Sequence, residues 1–139
     1  MRRSLVYYDV DSNKNNNNRR FKMWYVTMPT TATHSSSGTQ FAIIGVEHIL
    51  YNPKNNRWFS GYVDLSHMKS GDRVELRVYV LVKSAAGDYY VEHYVNIYTD
   101  VQTYPLIYIP ICLSDSGWKL TLKQTEGTGR TFDWNVYES

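Results

Sequence analysis

Residues 118–138 constrain the fold of this chain most strongly. They read WKLTLKQTEGTGRTFDWNVYE, two runs of alternating apolar and polar residues around a turn that contains Gly127 and Gly129. Alternation with a period of two is typical of a half-buried strand, and two such runs joined by a glycine-containing turn predict a β-hairpin. The predicted core face of this hairpin consists of Trp118, Leu120, Leu122, Phe132, Trp134 and Val136.

The rest of the chain repeats the strand pattern and shows no helical periodicity. Alternation is clearest in residues 73–83. Residues 41–51 are apolar on both faces, which leaves a helix as the alternative, but Gly45, the β-branched isoleucines and the Asn52-Pro53 stop favour a strand. Gly61 indicates a bulge, and Pro110 predicts a sheet edge or a bulge in residues 106–113. In that segment Ile107, Ile109, Ile111 and Leu113 share one face. Residues 11–20 and 30–39 are polar and are expected to be loops.

Eight or nine short strands with frequent turns predict an all-β fold. Such strands bury their apolar faces most simply in two packed sheets, so we expect a single antiparallel β-sandwich, jelly-roll-like in type. A closed barrel is the alternative. The expected organisation is one domain over residues 1–139, with residues 1–4 as a candidate basic arm.

Composition supports a folded domain and excludes several classes of protein. The chain is 42% hydrophobic and 15% aromatic, and its net charge is +2. The hydrophobic content is therefore sufficient for a packed core. The small net charge argues against a dedicated nucleic-acid-binding protein, which would carry a stronger basic stripe. No apolar run is long enough for a membrane span. Cys112 is the one cysteine, so no internal disulfide and no multi-cysteine metal site is possible.

No residue pattern predicts a catalytic site, a metal or another cofactor. The four histidines lack ligand spacing. Asp64 and Ser66 end a strand, where such residues usually cap a turn. A hydrolase would require polar residues from separate segments to converge, and we expect no enzyme. The residues concerned are Asp64, Ser66, His67, Glu92 and His93.

Two sets of residues are candidates for binding. Basic residues that would contact nucleic acid or a neighbouring subunit are Arg2, Arg3, Arg19 and Arg20. A solvated terminus and loop is the simpler interpretation of that set. Aromatic residues on or near strands that would form surface contacts are Trp24, Trp58, Tyr62 and Tyr79. Rings of this kind serve glycan binding in some sandwiches, but they more often belong to a core or an interface.

From residue 58 onward the chain resembles small β-sandwich proteins encoded by viruses of archaea and bacteria. The resemblance lies in the words WFSGYVDLS, SGDRVELRVYVLV, YIPI and WKLTLKQTEGTGRTFDWNVYE. It implies a virion structural protein (a capsid, decoration, spike or turret subunit) that is made in the host cytoplasm and contacts other copies of itself and other virion proteins. It implies no catalytic residue. A carbohydrate-binding module or lectin-like receptor-binding protein, with a glycan as partner, is the alternative.

Overall fold

The computed structural model describes residues 3–9, 21–27 and 33–139. Its secondary structure consists of strands. A helix long and apolar enough to cross a membrane is absent from these ranges. The strands are β1 Arg3–Asp9, β2 Phe21–Thr27, β3 Thr33–Phe41, β4 Glu47–Tyr51, β5 Arg57–Asp64, β6 Arg73–Val82, β7 Tyr89–Thr99, β8 Leu106–Ser114, β9 Trp118–Glu126 and β10 Thr131–Glu138.

The strands fall into two compact units, one containing β1 and β2 and the other covering Thr33–Glu138. Within the first unit, β1 and β2 pair antiparallel from Arg3 opposite Thr27 to Asp9 opposite Phe21. Part of the predicted basic arm therefore lies in a strand. The prediction of a single domain over residues 1–139 stays a prediction.

The second unit is an antiparallel β-sandwich of two four-stranded sheets. We call the sheet with strand order β3-β10-β5-β8 the front sheet and the sheet with order β4-β9-β6-β7 the back sheet. The strand pairs are nested along the chain: β6 with β7, β5 with β8, β4 with β9 and β3 with β10. This nesting is the winding of a jelly roll, so the predicted fold class is confirmed.

The predicted hairpin at residues 118–138 is wrong in its pairing, although both strands exist. Strand β9 lies in the back sheet and β10 in the front sheet, and each pairs with other strands. The link between them crosses the sandwich, with Gly127 at a φ of 91°. The two apolar faces therefore oppose each other across the core, where all six predicted core residues are buried.

The predicted loop over residues 30–39 is wrong from residue 33 onward, because residues 33–41 form strand β3. A polar sequence suffices there because, among the described strands, β3 is at an edge and pairs with β10 alone. Gly38 lies directly against the Trp134 ring, and a Cβ at this position would stand 3.0 Å from it. The predicted strand over residues 41–51 is interrupted by a turn, where Gly45 has a φ of 83°, and β4 begins only at Glu47.

Strand β8 has both features predicted from Pro110, an edge position and a bulge. The register with β5 shifts between Phe59 and Gly61. This shift turns Cys112 toward the core, while Ile111 is 73% exposed and Leu113 is 49% exposed. The predicted common face of the four apolar residues therefore stops at Ile109, because a one-residue shift exchanges the two faces of a strand.

The core is centred on two stacked rings from the two sheets. Phe59 and Trp118 lie face to face with a centroid separation of 3.9 Å and an interplanar angle of 6°. The indole Nε1 of Trp118 donates a 3.1 Å hydrogen bond to Glu138, whose carboxylate is buried near the end of the chain. The central strands of the two sheets thus meet at the middle of the core.

Candidate interaction surface

The structure separates the aromatic residues that the sequence singles out. Trp58 and Tyr62 lie on the outer face of the front sheet, where they oppose Leu113 and Tyr108 of β8. Tyr79 lies on the outer face of the back sheet, opposite Lys119. Trp24 lies in strand β2, opposite Val6. The three aromatic residues of the sandwich therefore do not form one platform.

The basic residues of the first unit are described only in part. Arg3 lies in strand β1, and Arg2, Arg19 and Arg20 lie outside the described residues. Their contact with nucleic acid or with a subunit stays a prediction.

The outer face of the front sheet carries a group of neighbouring tyrosines. The ring of Tyr62 lies 5.8 Å from Tyr108 and 6.2 Å from Tyr137, measured between centroids. His34 of β3 extends the group with an edge contact to Tyr137 at 5.7 Å. Tyr108 is 65% exposed and Trp58 is 46% exposed, so this face offers aromatic surface to a partner.

Tyr79 is occupied by contacts within the protein. Its hydroxyl donates a 2.8 Å hydrogen bond to Glu47, which also accepts a 2.6 Å bond from Thr121. The ammonium of Lys119 lies over its ring at 4.5 Å and over the ring of Tyr90 at 4.4 Å. Burial and the neighbouring Glu47 carboxylate raise the pKa of Tyr79 to about 12. We therefore assign this network to stabilising the back sheet.

The edge formed by β7 and β8 carries a concentration of exposed apolar side chains. Both strands are sheet edges, and they flank one small cavity lined by Tyr94 of β7 and Ile109 of β8. We call the two strands the β7/β8 edge. Its exposed members, which are 42% to 73% exposed, are Tyr89, Val91, Val95, Ile97, Leu106, Tyr108, Ile111 and Leu113.

A second apolar group lies at the connection between β3 and β4. Its members, which are 41% to 57% exposed, are Phe41, Ile43, Ile44, Val46 and Ile49. Both groups lie at strands that end their sheets. Sequence patterns did not find them, because an apolar residue on an edge strand looks the same in sequence as one in the core. The missing information was the strand order.

The residues considered for hydrolysis do not come together. The carboxylate of Asp64 accepts a 2.9 Å bond from the amide of Ser66, which is the predicted turn cap. Nδ1 of His67 faces the carbonyl of Thr131 at 2.9 Å. Glu92 and His93 lie on β7, in the other sheet. Among the described residues, no group of three or more potential ligands is placed to hold a metal.

An open groove of about 340 Å³ lies beside the link between β9 and β10. Its polar lining includes His67, Lys69 and Arg130, and its apolar wall is Phe41. The guanidinium of Arg130 is already paired with the buried carboxylate of Asp72 at 2.9 Å. We therefore regard the groove as part of the loop packing.

Comparison of the chain with protein-family models, with curated proteins and with solved structures finds no match.

Proposed function

We propose that this protein is a non-enzymatic structural subunit of a virus particle, made in the host cytoplasm, that acts through contacts with copies of itself and with other virion proteins. The observation that carries the proposal is the β7/β8 edge, where apolar side chains are exposed beside unpaired strand edges. An unpaired strand edge is a template for pairing with another chain, so exposed apolar side chains beside it favour a contact between subunits.

Two further observations support the same proposal. The nested strand order is a jelly roll, an architecture that viral capsid domains use, along with lectins and cupins. The sequence from residue 58 onward resembles viral β-sandwich proteins. A fold alone does not determine a function, so the exposed edge is the stronger argument.

The proposal is tested by mass spectrometry of particles purified from the source of the sequence, together with analytical ultracentrifugation of the full chain. We expect the chain among the particle proteins, and we expect its sedimentation to change with concentration. A protein that stays monomeric and is absent from purified particles would refute the proposal.

A lectin-like receptor-binding function is the second candidate, and the outer face of the front sheet favours it. Trp58 is exposed there beside the tyrosines, whereas Trp118 and Trp134 are buried. Sugar stacking on this face would therefore change the fluorescence of Trp58, and Trp58→Phe would remove that change. A glycan array without binding, or a fluorescence change that survives in the variant, contradicts this function for the face.

A further inference from the structure

Strand β7 is an edge with the properties of a pairing site. It has eleven residues and is the longest described strand. It pairs with β6 on one side, and no strand in the described ranges pairs with its other side. In an antiparallel sheet, alternate residues of an edge strand direct their N–H and C=O groups outward. The free side of β7 therefore carries a row of donors and acceptors with the spacing of another strand.

The other edges of the sandwich are protected, whereas β7 has only one such feature, a shift in its register with β6 at His93. Strand β8 contains Pro110, which has no N–H, and a break in register. Strand β4 has five residues, and β3 is made largely of small polar residues. The sequence of β7, YYVEHYVNIYT, has no proline and no lysine, and Glu92 is its one acidic residue. Natural edge strands normally carry such protection against pairing with other chains.

The regular part of the edge is residues 94–99. The register with β6 is unbroken from Val78 opposite Tyr94 to Arg73 opposite Thr99, and the shift lies beyond it at His93. On the outer face of this stretch, Val95 and Ile97 are 43% and 47% exposed. β-Branched side chains on a pleated surface pack well against the same side chains across a strand pair.

We infer that two copies of this chain associate through antiparallel pairing of β7 with β7 across a two-fold axis, which joins the two back sheets into one continuous sheet. The inference rests on the proposed function, since it names the surface and the partner of one subunit contact. A two-fold contact uses the same patch on both copies and closes on itself.

The charges and the neighbouring edge favour a second copy of β7 over other occupants. Pairing centred on Asn96 sets Val95 opposite Ile97 and separates the two Glu92 residues by eight residues, about 27 Å at about 3.4 Å per residue. Pairing of β7 with β8 of another copy would meet Pro110 and the broken register. That contact would also be head-to-tail, and it would continue into a chain of molecules unless the rotation closed a ring.

The size of the contact predicts a weak dimer. With the pairing centred on Asn96, the two strands overlap over residues 93–99, about 24 Å, and a strip about 10 Å wide along this overlap covers roughly 240 Å² per copy. A standard stable interface buries about 800 Å² per partner. We therefore expect a dissociation constant of about 10–200 μM.

The test is sedimentation velocity of the full chain from about 1 to 200 μM, with single substitutions at two sheet edges. Ile97→Lys brings the two new lysines of a dimer close to the two-fold axis, where they repel each other. The substitution should leave the fold of each copy intact, because residue 97 lies opposite Glu75 on β6. Ile111→Lys is the matched control on β8, where the side chain is 73% exposed. We expect wild type and Ile111→Lys to dimerise alike, and Ile97→Lys to weaken dimerisation at least tenfold.

Hydrogen exchange of wild type provides a measurement that does not depend on a variant. Amides of residues 94–99 that point away from β6 should exchange more slowly as concentration rises. Protection that is already complete at the lowest concentration means that the edge is covered within one chain, and this result overturns the inference. It is also overturned by a wild type that is monomeric at 200 μM, or by equal effects of the two lysine variants.

The outcomes separate this inference from the proposed function. A chain found in particles whose association is unaffected by Ile97→Lys leaves the structural function standing and removes the β7 contact. A dimer that Ile97→Lys dissociates, formed by a chain that is absent from particles, supports the contact and removes the virion assignment.

Discussion

The buried carboxylate of Asp72 should be one of the main polar contributions to stability. It accepts hydrogen bonds from Nε of Arg130 at 2.9 Å, from the amide of Lys69 at 2.8 Å and from the amide of Thr128 at 3.3 Å. The Asp72 side chain is 1% exposed, whereas the Arg130 side chain is 28% exposed. One carboxylate thus joins the loop before β6 to the link between β9 and β10.

The magnitude follows from what Asp72→Ala would leave behind. Removing one partner of a buried ion pair costs about 3–5 kcal/mol, because the other charge stays desolvated. Water reaches part of Arg130, so the lower end applies, and we expect a loss of about 3 kcal/mol in the free energy of unfolding. For a chain of this length that loss lowers Tm by about 10 °C. Asp72→Asn retains an acceptor oxygen and should lose about 1.5–2 kcal/mol, the scale of one hydrogen bond to a charged group.

The pH dependence provides a sharper test of the same contact. Burial alone would raise the pKa of Asp72, but the bonds from Arg130, Lys69 and Thr128 together hold the pKa below its ordinary value. A lowered folded-state pKa means that the stabilisation is complete above the unfolded pKa of about 3.9 and is lost as pH falls through the folded value. The stability difference between wild type and Asp72→Asn should therefore be constant from pH 7 to 5 and shrink below about pH 4.

Urea denaturation followed by tryptophan fluorescence measures both effects, since Trp118 and Trp134 are buried. Asp115→Ala changes an exposed aspartate and serves as the control, with an expected change within about 0.5 kcal/mol. The reasoning is refuted if Asp72→Ala costs less than about 1 kcal/mol. It is also refuted if the difference between wild type and Asp72→Asn is the same at pH 3 as at pH 7.

Three further measurements test the packing, two on substituted proteins and one on the reactivity of a thiol. Gly61→Ala should cost about 1–3 kcal/mol, because a Cβ there would stand 2.5 Å from the backbone oxygen of Asn135, and an unchanged urea midpoint would contradict this close approach. Phe59→Ala should cost about 3–5 kcal/mol and remove the near-ultraviolet circular dichroism of the stacked pair with Trp118, whereas a retained signal would show that the stack is not formed. Cys112 should react with iodoacetamide more slowly in the folded protein than in urea, because burial raises the pKa of its thiol, and equal rates would place the thiol in solvent.

The sequence predicted individual strands well because alternation is a local property. Strand β6 and the core residues of β9 and β10 follow directly from the period-two pattern. The pattern also gave the fold class, since many short strands bury their faces most simply in a sandwich. Pro110 correctly indicated an edge and a bulge, because a residue without an N–H cannot donate to a neighbouring strand and is accommodated at such positions.

The errors concern how the strands are connected and which of them lie at edges. A glycine-containing link between two alternating runs suits a hairpin, yet residues 127–130 carry the chain from one sheet to the other. The choice depends on Asp72, which accepts a hydrogen bond from the link at a distant position in the chain, and on the side chain of Gln124, which accepts one from the amide of Arg130. Strand β3 was missed because a polar edge strand takes its stability from β10, and its own sequence resembles a loop.

The same distinction explains why the candidate surface was hidden in the sequence. In a jelly roll the central strands β5, β6, β9 and β10 meet neighbours on both sides, whereas β7 and β8 have a neighbour on one side only among the strands that the structure describes. An apolar side chain on β9 therefore contributes to folding, and an apolar side chain on the outer face of β7 contributes little to it. Because Val95 and Ile97 stay exposed in the folded chain, changing them should affect association far more than stability. Under the proposed contact, folding energy and contact energy are carried by different strands of one sandwich, and each can be altered without the other.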